Sequence, residues 1–270
     1  MARHCSFRVG GIAQDFFIPD TLNALSDFLK NNQQPILMLG LGSNLLVRDR
    51  GFSGVVIKLT QLNQLSIDKG VIQVDAGVTL AKLSRFCGSQ DLNGAEFLSA
   101  IPGSVGGALA MNAGAFGFEI WSLVESVTTI NTLGEVFKRS VTEFDIAYRK
   151  VVPQHKGEYF IGANLKFPQT GKQQDIQDLL KKRNDSQPIG EANCGSVFKN
   201  PPNNFAAKLI EDSDLKGFCM GGACVSNKHA NFIINQDNAS TDDIENLIKY
   251  IQQTVKSKYN INLETEVVII

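Results

Sequence analysis

The chain is 270 residues long and 43% hydrophobic, enough to bury a sizeable core and divide into two or three compact units. A formal net charge of -1 and a sequence pI near 6.3 exclude a general electrostatic draw toward nucleic acid or an anionic bilayer, which needs clustered Lys and Arg. No apolar run reaches the roughly 20 residues that cross a bilayer, and the start, MARHCSFRVGG, lacks the apolar core of a secretion signal. The expectation is a cytoplasmic protein without membrane insertion or a nucleic-acid partner.

In chain order, Asp20 stands where it caps a helix running to about Lys30, with Leu22, Leu25, Phe28 and Leu29 facing inward. PILMLG then reads as a fully buried strand, and the turn GLGSN follows at once. GVVIKL and VIQVDAG have the β-branched density of strands. Thr79 starts a helix with Leu80, Leu83, Phe86 and Cys87 on one face. From Glu119 to Phe137 short β-rich runs flank the turn NTLGE, and EYFIGANLKF is a further strand, a pattern of antiparallel pairing. The fold class expected is α+β.

Around QTGKQQDIQDLLKKRNDSQP the composition turns polar, with a helix carrying Ile176, Leu179 and Leu180 inward and stopping near Pro188. A domain boundary is expected there. Further on, Ser240 and Asp243 have capping-box spacing before a helix built on Ile244, Leu247, Ile248, Ile251 and Val255, and TEVVII reads as a strand. Five cysteines, an odd number without CxxC spacing, point to neither a disulfide framework nor a metal site. No internal repeat or low-complexity tract interrupts the chain.

Two glycine-rich loops carry the chemistry. In LGLGSNLLV, Gly40 and Gly42 free main-chain N–H groups while Ser43 and Asn44 add short donors, which suits phosphate oxygens. Leu45 stands where a dinucleotide fingerprint has its third glycine, so the loop is an anion cradle or an ordinary tight turn. In AIPGSVGGALAMNAGAFG, Gly103, Gly106, Gly107 and Gly114, with Ser104 and Asn112 between them, admit a flat ligand close to the backbone. The other reading is a glycine-rich crossing of packed segments. Taken together, the two uncharged loops point to a dinucleotide neutralised by main-chain dipoles.

FRVGGIA, LGLGSNLLVRDRGFSGVVI and IPGSVGGALAMNAGAFG resemble the flavin domain of the UDP-N-acetylenolpyruvoylglucosamine reductases, the MurB family of peptidoglycan synthesis. YRK, CGSVFKNPP, AAKLIEDSDLKG, GGACVSNKHANFIIN and ETEVVII follow in that family's order, so the resemblance spans nearly the whole chain. It is closest to the compact subtype without an inserted tyrosine-bearing loop. The resemblance implies a two-lobed FAD-binding domain of the PCMH/vanillyl-alcohol-oxidase type over 1–168, with lobes of about 1–62 and 63–168. A C-terminal α+β substrate-binding domain would occupy 169–270, its last strand returning toward the active site.

It further implies non-covalent FAD held by Gly40, Leu41, Gly42, Ser43, Asn44 and Leu45 and by Pro102, Gly103, Ser104, Gly106, Gly107, Asn112, Ala113 and Gly114. NADPH would be the co-substrate and UDP-N-acetylenolpyruvoylglucosamine the substrate. Hydride addition to a vinyl carbon builds charge on the neighbouring carboxylate and leaves a carbon to be protonated, which calls for a cation, a hydrogen-bonding acid and a proton donor. Arg149, Glu266 and Ser196 match these three roles, with Lys199 a candidate neighbour of Ser196 and Glu264 the rival of Glu266. Two departures from the family pattern stand beside them, Val151 for Ser and Thr265 for Pro. Lys199, Asn200, Lys208, Lys228, His229 and Asn231 are candidate grips on the UDP-sugar, and a monomer is expected. Other readings are a different flavin oxidoreductase of this fold or a non-catalytic nucleotide-sugar-binding protein.

Overall fold

The structure, a computed structural model, describes residues 1–167 and 176–270. Its strands are β1 Ala13–Phe17, β2 Ile36–Leu39, β3 Leu45–Leu46, β4 Phe52–Lys58, β5 Leu65–Asp68, β6 Val71–Asp75, β7 Gly114–Ala115, β8 Phe118–Glu119, β9 Val124–Asn131, β10 Val136–Ser140, β11 Phe144–Ala147, β12 Lys150–Pro153, β13 Glu158–Lys166, β14 Cys219–Met220, β15 Ala223–Val225, β16 Ile233–Asn235 and β17 Val268–Ile269. The α-helices are α1 Leu22–Asn31, α2 Leu80–Ser89, α3 Val105–Met111, α4 Ile176–Ser186, α5 Ala206–Glu211 and α6 Thr241–Tyr259. Helices and mostly antiparallel sheets follow one another irregularly, the α+β class that the sequence pattern predicts. Among the described residues no helix is long and apolar enough to cross a membrane.

The chain forms two compact units, a smaller one of Met1–Gln14, Gly42–Ser53 and Arg183–Ile270 and a larger one of Asp15–Leu41 and Gly54–Lys182. A single cut at 168/169 falls outside the described residues, and it would leave segments 1–14 and 42–53 on the wrong side. Contacts remote in sequence account for this. β3 pairs in parallel with β17, Arg48 makes a two-pronged ion pair with Glu245, and Asn235 Nδ2 donates to Phe7 O.

In the larger unit the main sheet runs β10-β9-β13-β6-β5, antiparallel throughout. α2, capped by Thr79 as its sequence predicts, buries Leu80, Leu83 and Cys87 in a core with Val105, Leu109, Trp121 and Leu165. A second core joins Leu25 and Leu29 of α1 to Val55 and Ile57 of β4. Here the residues correct three expectations. The cap of α1 is Thr21, extended and accepting from Ala24 N, not Asp20, and Leu22 is exposed. β2 is half-buried over three of its four residues, not fully buried. The glycine-rich stretch contains a helix, α3, which its low propensity hides.

Among the described residues β11 and β12 pair only with each other, and beyond the Gln154 N to Glu143 O bond side chains hold their base. Arg139 bridges Glu158 and Glu143, Thr129 donates to Glu158, and His155 reaches Glu143. Burial pushes the Glu158 carboxyl up, but Arg139 and Thr129 together outweigh it and hold it below the usual range. Glu143 is held low chiefly by the Ser140 N–H, with help from Arg139. Both carboxyls are depressed on folding, so their stabilisation is full above the ordinary carboxylate range and fades as the pH falls through it. Arg139→Met is therefore expected to lower Tm at neutral pH and to flatten its fall between about pH 5 and pH 3, as read by scanning calorimetry.

In the smaller unit α6 carries the expected capping box of Ser240 and Asp243 and lays Ile244, Leu247, Ile248, Ile251 and Val255 against Phe7, Val197, Phe198 and Leu209. Of the three inward residues expected of α4, only Leu179 is fully buried. The strand expected over TEVVII shortens to β17. The cysteine expectation is overturned at one pair: the β14–β15 hairpin sets Cys219 opposite Cys224, with Cα atoms 4.1 Å apart, and they form a disulfide. Cys5, Cys87 and Cys194 are free and buried. Alkylation of the unfolded chain should label three cysteines before reduction and all five after it; five at the outset would show the pair reduced.

Candidate active site

Within the larger unit, Ser104 precedes α3 in an extended conformation and makes no side-chain cap bond. It is 2% exposed, and its hydroxyl oxygen has no hydrogen-bond partner among the described residues. A buried hydroxyl left unpaired costs about 1–3 kcal/mol, so the place calls for another polar group. Gly40 lies against it, where a Cβ would stand 2.2 Å from Ser104 Oγ. At Gly107 a Cβ would meet nothing nearer than 3.7 Å, whereas at Gly106 it would stand 2.8 Å from Ala76 Cβ. Both sequence readings of this stretch thus hold at adjacent residues: Gly106 packs α3 against Ala76 just past β6, while Gly107 leaves room beside the Ser104 hydroxyl, which Gly40 admits by lacking a Cβ. That cradle fits FAD, whose oxygens and ring edge would satisfy the orphan hydroxyl. Gly42 belongs to the smaller unit, at φ +69 with His4 O where its Cβ would be.

Arg149 is the second residue of the two-residue turn between β11 and β12, at φ +52. A non-glycine residue there costs about 1–3 kcal/mol, a strain that accumulates at functional positions. Its Nη1 donates to Asn112 O at 3.2 Å and its Nη2 to Gly114 O at 2.9 Å, so main-chain oxygens hold the cation. Val151, where the family pattern has Ser, packs against the apolar core.

In the smaller unit, Asn193 Oδ1 accepts from Gly195 N, and Gly195, at φ +80, turns the chain into Ser196. The next residues pair with the segment ahead of β17. Lys199 N donates to Glu264 O, and Val197 O accepts from both Glu266 N at 2.8 Å and Val267 N at 3.4 Å. One carbonyl facing two successive N–H groups has the form of a β-bulge, which re-aims side chains. It separates the two glutamates. Glu264 has a side chain 77% exposed and pairs with Lys199, whereas Glu266 is half-buried and adds to the burial that raises the Cys194 thiol pKa. Thr265 faces Phe198 without joining either ladder bond, so Pro or Thr fits there.

Asn231 is 4% exposed, and its amide accepts from Phe198 N and donates to Phe198 O. Asn200 Oδ1 accepts from Ala206 N at the start of α5, and Lys208 lies exposed on that helix. Lys228 Nζ donates to Asn184 O. Burial lowers the imidazole pKa of His229, whose Nδ1 accepts from Asn231 N. In the larger unit Asn112 and Gly114 meet Arg149; in the smaller one Ser196, Lys199, Asn231 and Glu266 lie on adjoining segments.

Arg183 gives no signal in the sequence. Burial lowers the pKa of its guanidinium, which has a hydrogen bond to Gln187 and no carboxylate partner among the described residues. In the last turn of a polar helix, an arginine looks like solvated surface; only the structure shows its desolvation.

Residues 16–140 match the family description of a FAD binding domain, and residues 187–270 that of the UDP-N-acetylenolpyruvoylglucosamine reductase C-terminal domain. Fold and cradle therefore define a FAD-dependent flavoprotein with a dedicated C-terminal domain. The reductase of that name from Coxiella burnetii is 47% identical over all of this chain and 93% of its own length, and that from Legionella pneumophila 47% identical over 100% and 90%. The crystal structure of the Thermus caldophilus enzyme superposes with a TM-score of 0.81 at 30% identity, covering 99% of this chain and 96% of that one. The chain belongs to the UDP-N-acetylenolpyruvoylglucosamine reductase family.

The two neighbouring glycines give a direct test of the cradle. Gly107→Ala is expected to stabilise the flavin-free chain by about 0.5–1 kcal/mol while weakening FAD binding about tenfold, as read by fluorescence titration. Gly106→Ala is expected to destabilise the fold itself by about 1–3 kcal/mol through overpacking. Equal FAD affinity in Gly107→Ala and the parent would move the cofactor elsewhere.

Proposed function

We propose that the chain reduces the enolpyruvyl group of UDP-N-acetylenolpyruvoylglucosamine to give UDP-N-acetylmuramate, consuming NADPH, as a cytoplasmic monomer. FAD is held without a covalent bond, mainly by the cradle of Gly40, Ser104 and Gly107, and residues from about 190 onward grip the UDP-sugar. When bound, FAD supplies the two-electron carrier that accepts hydride from NADPH and delivers it to the double bond. The observation that carries this reading is the bulged pairing of the Ser196 and Glu266 segments in a chain that spans 93% of a relative's length in this family.

Arg149 offers a permanent, planar cation to the substrate carboxylate as that group takes up charge. Two main-chain oxygens hold the guanidinium in place, which orients it for that role. Glu266, half-buried, donates a hydrogen bond to the same developing enediolate when protonated. The Ser196 hydroxyl gives its proton to the neighbouring carbon, a transfer open to a weak acid because the enediolate carbon is strongly basic. Lys199 pairs with Glu264, which reduces the charge it could lend to Ser196.

The purified protein should release FAD on denaturation and oxidise NADPH rapidly only when the enolpyruvyl sugar is present, with parallel initial-velocity lines. Ser196→Ala should cut sugar-dependent turnover by about 10²- to 10⁴-fold and leave the slow oxidation of NADPH without sugar unchanged. Glu266→Gln should lose turnover where Glu264→Gln does not. Full activity in Ser196→Ala would remove the proton-donor assignment, and a flavin that stays with the acid-precipitated pellet would point to a covalent flavoenzyme instead.

A further inference from the structure

Asn112 is completely buried and lies in the left-handed region at the end of α3, φ +48. Each of its polar groups is engaged within the larger unit. Its N–H donates to Ala108 O, closing the helix. Its Nδ2 donates both to Glu119 Oε2 at 2.7 Å and to Ala147 O at 3.1 Å, and its Oδ1 accepts from Trp121 N at 3.4 Å. Its own carbonyl accepts from Arg149 Nη1. Completely buried, it presents no polar atom to a ligand at the surface. Ala147 is the last residue of β11, directly before the turn that carries Arg149, so one residue grips the strand leading to that arginine with its side-chain amide and the guanidinium with its backbone carbonyl.

We infer that Asn112 is a positioning residue for Arg149. It clamps the tip of the β11–β12 hairpin to the end of α3, with Glu119 fixing the amide. This rests on the catalytic reading of Arg149 given above. The need is physical: among the described residues β11 and β12 pair with no other strand, a two-stranded hairpin is only marginally stable by itself, and an arginine at its two-residue turn is placed only as well as that turn is. Glu119 accepts one amide hydrogen, which leaves the other for Ala147 O and prevents the amide from turning over. Asn is required because Asp would lose both donors and face the Glu119 carboxylate.

The test is a double-mutant cycle on the holoenzyme. Asn112→Ala is expected to lower kcat by about 10- to 100-fold, the cost of misplacing a reacting group by about an ångström, with KM for the sugar changed far less and bound FAD retained. In an Arg149→Ala background the same change should cost nothing further, because neighbours acting through one contact are non-additive. In case Asn112→Ala folds poorly, Glu119→Ala should show the same loss in milder form, and Glu119→Gln, which keeps the accepting oxygen, should recover most of it. Additive losses would overturn the proposal, as would lost FAD affinity with parental kcat once the flavin is restored. Full activity in Asn112→Ala beside a crippled Arg149→Ala would overturn the positioning role alone. Parental activity in Arg149→Ala would overturn the role of the arginine, and the clamp with it.

Discussion

Two residues of parallel ladder, Leu45–Leu46 against Val268–Ile269, tie the end of the first glycine loop to the final strand. Asn44 reinforces the tie by donating to Glu266 O. The segment before β17 then lies across Val197 to Lys199, and Asn231 holds Phe198 from the other side by both of its backbone groups. Closing so long a loop costs only a slowly growing entropy, and the apolar residues of α6 offset it by burying a common core. The orientation of Ser196 and the separation of Glu266 from Glu264 both descend from that short ladder. Hence a candidate site in one unit draws on residues at both ends of the chain.

In the larger unit the governing constraint is room. Glycine serves two opposite purposes within two residues, close contact at Gly106 and open space at Gly107. Side chains are pushed to the edges of the stretch, where Ser104 presents an unsatisfied hydroxyl and Trp121 pins α3 by donating to Leu109 O. Trp121 also packs against Phe144 at the root of the hairpin that carries Arg149. The glycine-rich stretch and the turn that carries Arg149 thus share one supporting cluster.

Much of this is legible in the sequence. Helices with strong periodicity and side-chain caps, α2 and α6, can be read with their caps and their buried faces, because the information lies within one or two turns of chain. The antiparallel strands around NTLGE are readable for the same reason. What escapes is non-local or hidden by composition. Nothing near Gly42 announces that its neighbours pair with the far end of the chain, so a single cut between domains looks natural. α3 is hard to see because four of its seven residues are glycine or alanine and its period carries little signal. The Cys219–Cys224 bridge is hidden because its spacing matches no framework until Gly221 and Gly222 are seen to turn a hairpin. The site residues are legible through family resemblance; Asn112 looks like a ligand in the sequence, and only its bonds reveal how fully it is occupied.

Cys194 lies two residues before Ser196, sealed from solvent and beside the Glu266 carboxylate. Both influences keep its sulfur protonated, and a thiol is a far weaker nucleophile than a thiolate. By keeping this sulfur buried and in its thiol form, the fold leaves Cys194 a poor target for alkylating agents and oxidants as long as the smaller unit stays folded.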